Sequence, residues 1–299
     1  VSDVVKPPSG DQYAIESAGY RAVITESGGA LRGLTFEGRA LIEGFAEDAM
    51  ADGGRGQLLM PWPNRIRDGR YSFGGKEHQL ALTEPSRQNA SHGLVRWVAW
   101  SVVSHEVDRL ELGYFLPAQT GYPWALDLRV TYEVGPDGLQ VTQAATNLAD
   151  SPAPYASGAH PYLVAGPPPC DGWRLDVAAA TCLTVDEERL LPTGRASFDG
   201  VLSDPLASTV LNHAVTDLDR DDAGVTTVRL TASDGGVELW VDENHRWLQV
   251  YTGDDTKTPR ASVAIEPMTA RPDAFNSGDD LVVLQPAETF AATWGIRAL

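Results

Sequence analysis

Apolar residues in this chain recur mostly at every second position, the spacing of strands rather than helices. Tyr20–Thr25 alternates, Gly28-Gly29 turns, and Leu31–Phe36 runs on. Segments 98–103 and 110–116 are rich in β-formers and flank a turn at Asp108. Segment 124–134 places Leu126, Leu128, Val130 and Tyr132 on one face of a long strand. Gly135-Pro136-Asp137-Gly138 follows with tight-turn chemistry, since proline presets φ and glycine accepts positive φ. Segment 139–148 answers as the return strand, and segments 226–232, 237–241, 247–252 and 261–266 are further strands. No apolar stripe of helical period is sustained over about twelve residues. One short helical turn is predicted over 185–191, before Pro192. Many strands with frequent Gly/Pro turns predict an all-β sandwich or barrel.

No linker or repeat divides the chain. Segments 151–154 and 166–169 are short Pro/Gly loops, and the acidic run 217–222 reads as a solvated turn. A single domain over residues 1–299 is expected, with about the first 12 residues peripheral. That N-terminal stretch is polar, lacks the apolar core of a secretory signal, and no stretch approaches the roughly 20 apolar residues that span a bilayer. The expected location is the cytoplasm. Cys170 and Cys182 are too few for a disulfide framework or a metal signature; they are read as reduced and structural, although a hairpin would allow them to face each other.

Charge narrows the partners. With a formal net charge of −18 and a pI near 4.6, the chain has no basic face for nucleic acid or for an anionic membrane. The excess favours a neutral or cationic ligand without naming one.

The candidate chemistry is sparse. None of the six histidines pairs at a metal-ligand spacing, and no P-loop, G-x-S-x-G, CxxC or dinucleotide fingerprint occurs. No metal and no cofactor is expected. His78, His105 and His245 lie among charged or turn residues and read as surface residues. His92 in Ser91-His92-Gly93 and His160 in Ala159-His160-Pro161-Tyr162 stand at strand–loop junctions, from which a side chain projects into a cleft as readily as into a core. Glu266 closes the apolar run Ala261-Ser262-Val263-Ala264-Ile265 and precedes Pro267. Burial there raises a carboxyl pKa towards that of a general base; the structural alternative is an ion pair with an arginine such as Arg271. Arg65 follows Pro61-Trp62-Pro63, a segment held extended that would aim it rigidly; as a donor only, its guanidinium suits hydroxyl acceptors or a carboxylate, a weak signal alone.

Taken in order, Pro-Trp-Pro-Asn-Arg-Ile at 61–66, Asn-Ala-Ser-His-Gly at 89–93, His-Pro-Tyr at 160–162, Leu-Gln-Val-Tyr-Thr-Gly at 248–253 and Glu-Pro-Met-Thr at 266–269 resemble the aldose 1-epimerase (galactose mutarotase) family. The closing Leu-Gln-Pro-Ala-Glu-Thr at 284–289 resembles it too, and the likeness covers about residues 15–298. The resemblance implies a large antiparallel β-sandwich, the galactose mutarotase-like supersandwich, with an open groove on one sheet. It implies interconversion of α and β anomers of a free aldose such as glucose or galactose. Glu266 is then the general base and His160 the general acid, with Arg65, His92 and Gln249 on the sugar. A family Asp matches Asn212 in Asn212-His213-Ala214-Val215, which keeps hydrogen bonding but loses the charge.

Two other readings follow from the same residues. A hexose-6-phosphate 1-epimerase needs a cationic pocket, for which Arg67, Arg70 and Arg96 are the candidates. A non-catalytic carbohydrate-binding protein of the same fold is favoured by Asn212 and opposed by His160 and Glu266. A lyase or hydrolase wants a Tyr base or paired acids, and only Glu266 stands out. Monomer and homodimer are both compatible with the sequence.

Overall fold

A computed structural model describes residues 6–199, 205–233 and 235–299 of the protein; of the polar N-terminal stretch, residues 1–5 lie outside the described residues. Strand accounts for 50% and helix for 3% of the structure, and the sheets are antiparallel. One eight-stranded sheet, the back sheet, runs Ser101–His105, Arg109–Leu116, Leu126–Gly135, Gly138–Asn147, Thr289–Ala298, Gly235–Val241, Thr226–Ala232, Arg174–Val177. A second eight-stranded sheet runs Pro192–Ser197, Ala179–Val185, Asn212–Leu218, Trp247–Tyr251, Val263–Met268, Gly158–Ala159, Leu58–Leu59, with Tyr162–Leu163 also paired to Val263–Met268. Four N-terminal strands, Gln12–Ser17 to Arg39–Ala40, form a smaller sheet.

Leu126–Gly135 buries every second residue, as its sequence alternation requires. Val263–Met268 is buried at every position. Its Val263 and Ile265, with Leu248, Val250 and Val215 from neighbouring strands, join Leu128, Val130, Tyr132, Val141 and Ile296 of the back sheet in one apolar cluster. Removing that surface from water is the main source of cohesion between the sheets. One buried polar tie crosses the cluster: Gln143 on the back sheet donates to the Gly158 carbonyl at 3.0 Å and accepts from Trp294 Nε1 at 3.0 Å. Both ends of its amide are thereby satisfied.

The structure departs from the sequence reading in four places. Residues 185–191 form no helix. Leu190 N–H closes a single turn on the Asp186 carbonyl, and the Asp186 carboxylate accepts from Arg189 and Leu191 backbone N–H. These bonds make the segment the turn of a hairpin between Ala179–Val185 and Pro192–Ser197. The acidic run at 217–222 is a turn only in its later part, since Asp217 and Leu218 end strand Asn212–Leu218. Strand Val263–Met268 also runs through Pro267 instead of stopping before it. The missing proline N–H is tolerated because the ladder on one edge is broken there: Tyr162 pairs with Ala264 and Gly158 with Met268, while His160 and Pro161 bridge the gap. Lastly, two of the three histidines read as surface residues are packed. His245 is fully buried with Nδ1 2.8 Å from Asp242 Oδ1, and His78 is half-buried against Tyr71 and Trp124. His245 packs through its contact with Asp242, and His78, on strand Lys76–Gln79, through its aromatic neighbours. His105 is exposed, as expected.

Cys170 and Cys182 are both buried and free. No helix among the described residues is long and apolar enough to cross a membrane.

Candidate active site

The register of the second sheet decides which side chains share a face. Gln249 pairs with Glu266, Tyr251 with Ala264 and with Asn212, and Tyr162 with Ala264. Directly opposed residues project to the same side, as do positions two apart. Asn212, Gln249, Tyr251, Tyr162 and Glu266 therefore emerge together on the face turned away from the core. They line a groove of about 470 Å³, along with Arg65, His92 and His160.

His160 enters from the break beside Pro267. Its Nε2 lies 3.3 Å from Glu266 Oε1. Its ring stacks on Tyr162 at 4.9 Å between centroids and 13° between planes. Arg55 lies over the far partner of this stack, 4.6 Å from the Tyr162 centroid, and is held by Asp52 at 2.8 Å and Glu43 at 2.9 Å. Gly54 closes on the imidazole: a Cβ there would stand 2.7 Å from His160 Cδ2.

Glu266 is 3% and His160 5% exposed, so both groups are nearly dry. Burial raises the Glu266 carboxyl to about 8, opposed only by the Arg65 charge. Burial pushes the His160 imidazole down to about 3, helped by the Arg96 charge. The resting pair is then neutral, a carboxylic acid beside an imidazole. Glu266 Oε2 has no hydrogen-bond partner among the described residues and is free to meet a ligand. His92 is likewise held well below the ordinary imidazole range by burial and by its neighbour His160. Its ring lies 5.6 Å from that of His160.

Asn64 ties the remaining groups together. Its amide donates to Gln249 Oε1 at 3.3 Å, and its Oδ1 accepts from Arg65 N–H at 2.9 Å. Its backbone N–H donates to His92 Nδ1 at 3.2 Å, while its carbonyl accepts from His92 N–H. Gln249 in turn donates to Asn212 Oδ1 at 2.7 Å. Both Asn64 and His92 take positive φ, and Gly93 beyond them admits no side chain, because a Cβ would sit 2.1 Å from the Met60 carbonyl oxygen. Arg65 is clamped in fork geometry by Glu84, at 2.7 Å and 2.8 Å.

All six residues singled out in the sequence thus meet in one groove. The sequence reading assigned no role to Asn64, Glu84, Arg55, Tyr162 or Gly54. Asn64 and Tyr162 lie inside the quoted motifs, and the Gly53-Gly54-Arg55-Gly56 cluster was a usable signal for a close-packed loop. Glu84, separated by 19 residues from Arg65, offered none. Arg271 pairs with Asp279 at 2.6 Å, which removes it as the counter-ion of Glu266. Of the three arginines considered for a phosphate, Arg67 pairs with Asp273 and Arg70 contacts Gln79; only Arg96 lines the groove. Among the described residues no group of three or more His, Cys, Asp or Glu side chains is set to hold a metal ion.

Comparison with known proteins identifies the family. The family model described as aldose 1-epimerase matches residues 11–297. The chain belongs to the aldose 1-epimerase family. Within that family, the uncharacterized protein YihR of Escherichia coli (strain K12) is 33% identical over 297 residues, covering 97% of this chain and 94% of that protein. Uncharacterized protein YphB of the same organism is 24% identical over 155 residues, 52% of each chain. Among solved structures, a galactose mutarotase-like protein from Clostridium acetobutylicum superposes with a TM-score of 0.84 at 19% identity, covering 96% of this chain and 94% of that one. The GalM/aldose epimerase homologue from C. elegans gives 0.83 at 19% identity, covering 97% and 98%. These structural likenesses establish the galactose mutarotase-like fold of this aldose 1-epimerase family member.

Proposed function

We propose that the protein is a mutarotase, interconverting the α and β anomers of an aldose through Glu266 and His160. The observation that carries this reading is the 3.3 Å contact of these two buried groups in a groove furnished with Arg65, His92, Asn212 and Gln249. Moving one proton across that contact turns the neutral pair into carboxylate and imidazolium. Because burial has raised one pKa and lowered the other, that carboxylate is a stronger base, and that imidazolium a stronger acid, than either is in water. Glu266 takes the proton of the anomeric hydroxyl, the bond from C1 to the ring oxygen breaks, and His160 protonates the ring oxygen. The open-chain aldehyde turns about C1–C2, and the same steps run backwards on its other face. Arg65 and the linked amides orient the ring hydroxyls and supply part of the rate.

The test is the rate of anomer equilibration of freshly dissolved α-glucose and α-galactose, followed by optical rotation or proton NMR. Acceleration above the spontaneous rate is expected. Sugar binding without acceleration would favour the non-catalytic reading instead. Asn212→Asp keeps the acceptor for Gln249 and adds a charge. A charged acceptor strengthens a hydrogen bond by about 1 kcal/mol, so KM is expected to move by up to about fivefold with kcat within a few-fold. A collapse of kcat would contradict a purely binding role for position 212.

A further inference from the structure

Asn64, Gln249 and Asn212 form a chain of amides along the groove wall, and that chain has a direction. The two ends of a side-chain amide are nearly alike in shape, so its partners decide which end is the acceptor. Here the deciding partner is a backbone group. Arg65 N–H can only donate, and it meets Asn64 Oδ1 at 2.9 Å. The opposite end of Asn64 is therefore its NH2 group, which donates to Gln249 Oε1 at 3.3 Å. Gln249 Nε2 is left to donate to Asn212 Oδ1 at 2.7 Å. A reversal at any one amide would set donor against donor or acceptor against acceptor. Asn64 and Gln249 are 4% and 6% exposed, so water does not relieve such a clash. Asn212 ends the chain. It is half-buried on the groove wall, and among the described residues its Nδ2 donates to no protein acceptor.

We propose that Asn212 meets the sugar as a hydrogen-bond donor and so selects aldoses that present an acceptor to it, either a hydroxyl oxygen or an atom with no hydrogen to give. The inference rests on the mutarotase reading and adds a specificity-determining residue to it. A hydroxyl meets the requirement through its lone pairs and keeps its own hydrogen for another partner. A carboxylate at the same place makes the opposite demand, because it accepts and cannot donate. The polarity is imposed by the backbone at Arg65 and handed along two buried amides, so Asn212 cannot turn over without breaking its bond to Gln249.

The experiment measures kcat/KM for anomer equilibration of glucose and of its monodeoxy and deoxyfluoro analogues at C2, C3, C4 and C6. Fluorine accepts weakly and never donates, whereas a deoxy carbon does neither. The readout is the fluoro value divided by the deoxy value at each position, compared between proteins, which cancels the inductive effect of fluorine on ring opening. The proteins are wild type, Asn212→Asp and Asn64→Asp, each checked for folding by thermal melt. Asn212→Asp puts an acceptor against the sugar directly. Asn64→Asp does so from a distance. Aspartate still accepts from Arg65 N–H and suits the φ of +54°, but it also accepts at its other end, so Gln249 and Asn212 both turn over and Asn212 shows its oxygen to the groove. At one ring position both variants should lower the ratio by about fivefold or more, the scale of one hydrogen bond exchanged for a repulsion, with changes below about twofold at the others. If glucose is accelerated and the ratio is unchanged in both variants at every position, or if a folded Asn64→Asp keeps the wild-type ratio, the inference is overturned and the mutarotase reading stands. If wild type accelerates no sugar, the mutarotase reading fails and the inference falls with it.

Discussion

Glu266→Gln is expected to lower turnover by about 10²–10⁴-fold, the usual contribution of one general acid–base group. Glutamine keeps the shape and the hydrogen-bonding capacity but has no ionisable proton to exchange with His160 across their 3.3 Å contact. Sugar binding should survive far better than kcat, because the lost interaction is made mainly in the transition state. His160→Asn should fall in the same range, and the double variant should be little worse than either single one, since the two groups act as a unit. Wild-type turnover should decline as pH rises past about 8, where the pair loses the proton that it shares. The same substitution reports on stability. Glu266 binds its proton more tightly when folded, so its contribution is full below the ordinary carboxyl value of 4.5 and is lost as pH rises through about 8. Glutamine has no such dependence. The melting temperature of Glu266→Gln should therefore gain on that of wild type between those two values. A folded Glu266→Gln protein with near wild-type turnover would refute the mechanism.

Gly54→Ala is expected to reduce kcat by about 10–100-fold although Gly54 carries no chemistry. Its Cβ would stand 2.7 Å from His160 Cδ2 and 3.2 Å from Nε2, and the imidazole is already stacked on Tyr162 at 13°. The ring must shift, and a misplacement near 1 Å costs on the order of 10² in rate. Stability should fall by about 1–3 kcal/mol, from overpacking and from a φ of +80° that alanine tolerates poorly. Gly38→Ala is the control. It shares a positive φ of +82° but meets nothing within 4 Å, so it should cost stability without touching kcat. Equal losses of kcat in the two variants would show that backbone strain, and not the position of His160, sets the rate.

The strand pattern was legible because alternation is local. Leu126, Leu128, Val130 and Tyr132 name their buried face whatever lies beyond it, and 226–232 appears as a strand with those bounds. Breaks in that logic came from side chains that compete with local propensity. Asp186 satisfies the backbone of its own turn and converts an expected helical turn into a hairpin, and Pro267 continues a strand because its neighbour ladder is interrupted at His160–Pro161.

The in-order motifs were enough to nominate Arg65, His92, His160, Asn212, Gln249 and Glu266, since each sits in a short stretch whose composition is visible one residue at a time. What the motifs cannot contain is the distance between them. That Glu266 lies against His160 follows from strand register, with Gln249 opposite Glu266 and Tyr162 opposite Ala264. That Arg65 is held in a fork by Glu84 follows from a pairing across the tertiary structure. Net charge, summed over the chain, says little about the groove, because a ligand responds to the few charges within a Debye length and not to the total. The sequence by itself determined the all-β fold and the identity of the candidate reacting groups. Only the tertiary structure decided their proximity and their protonation, because burial and Coulomb interaction depend on three-dimensional separation, which residue order alone does not encode.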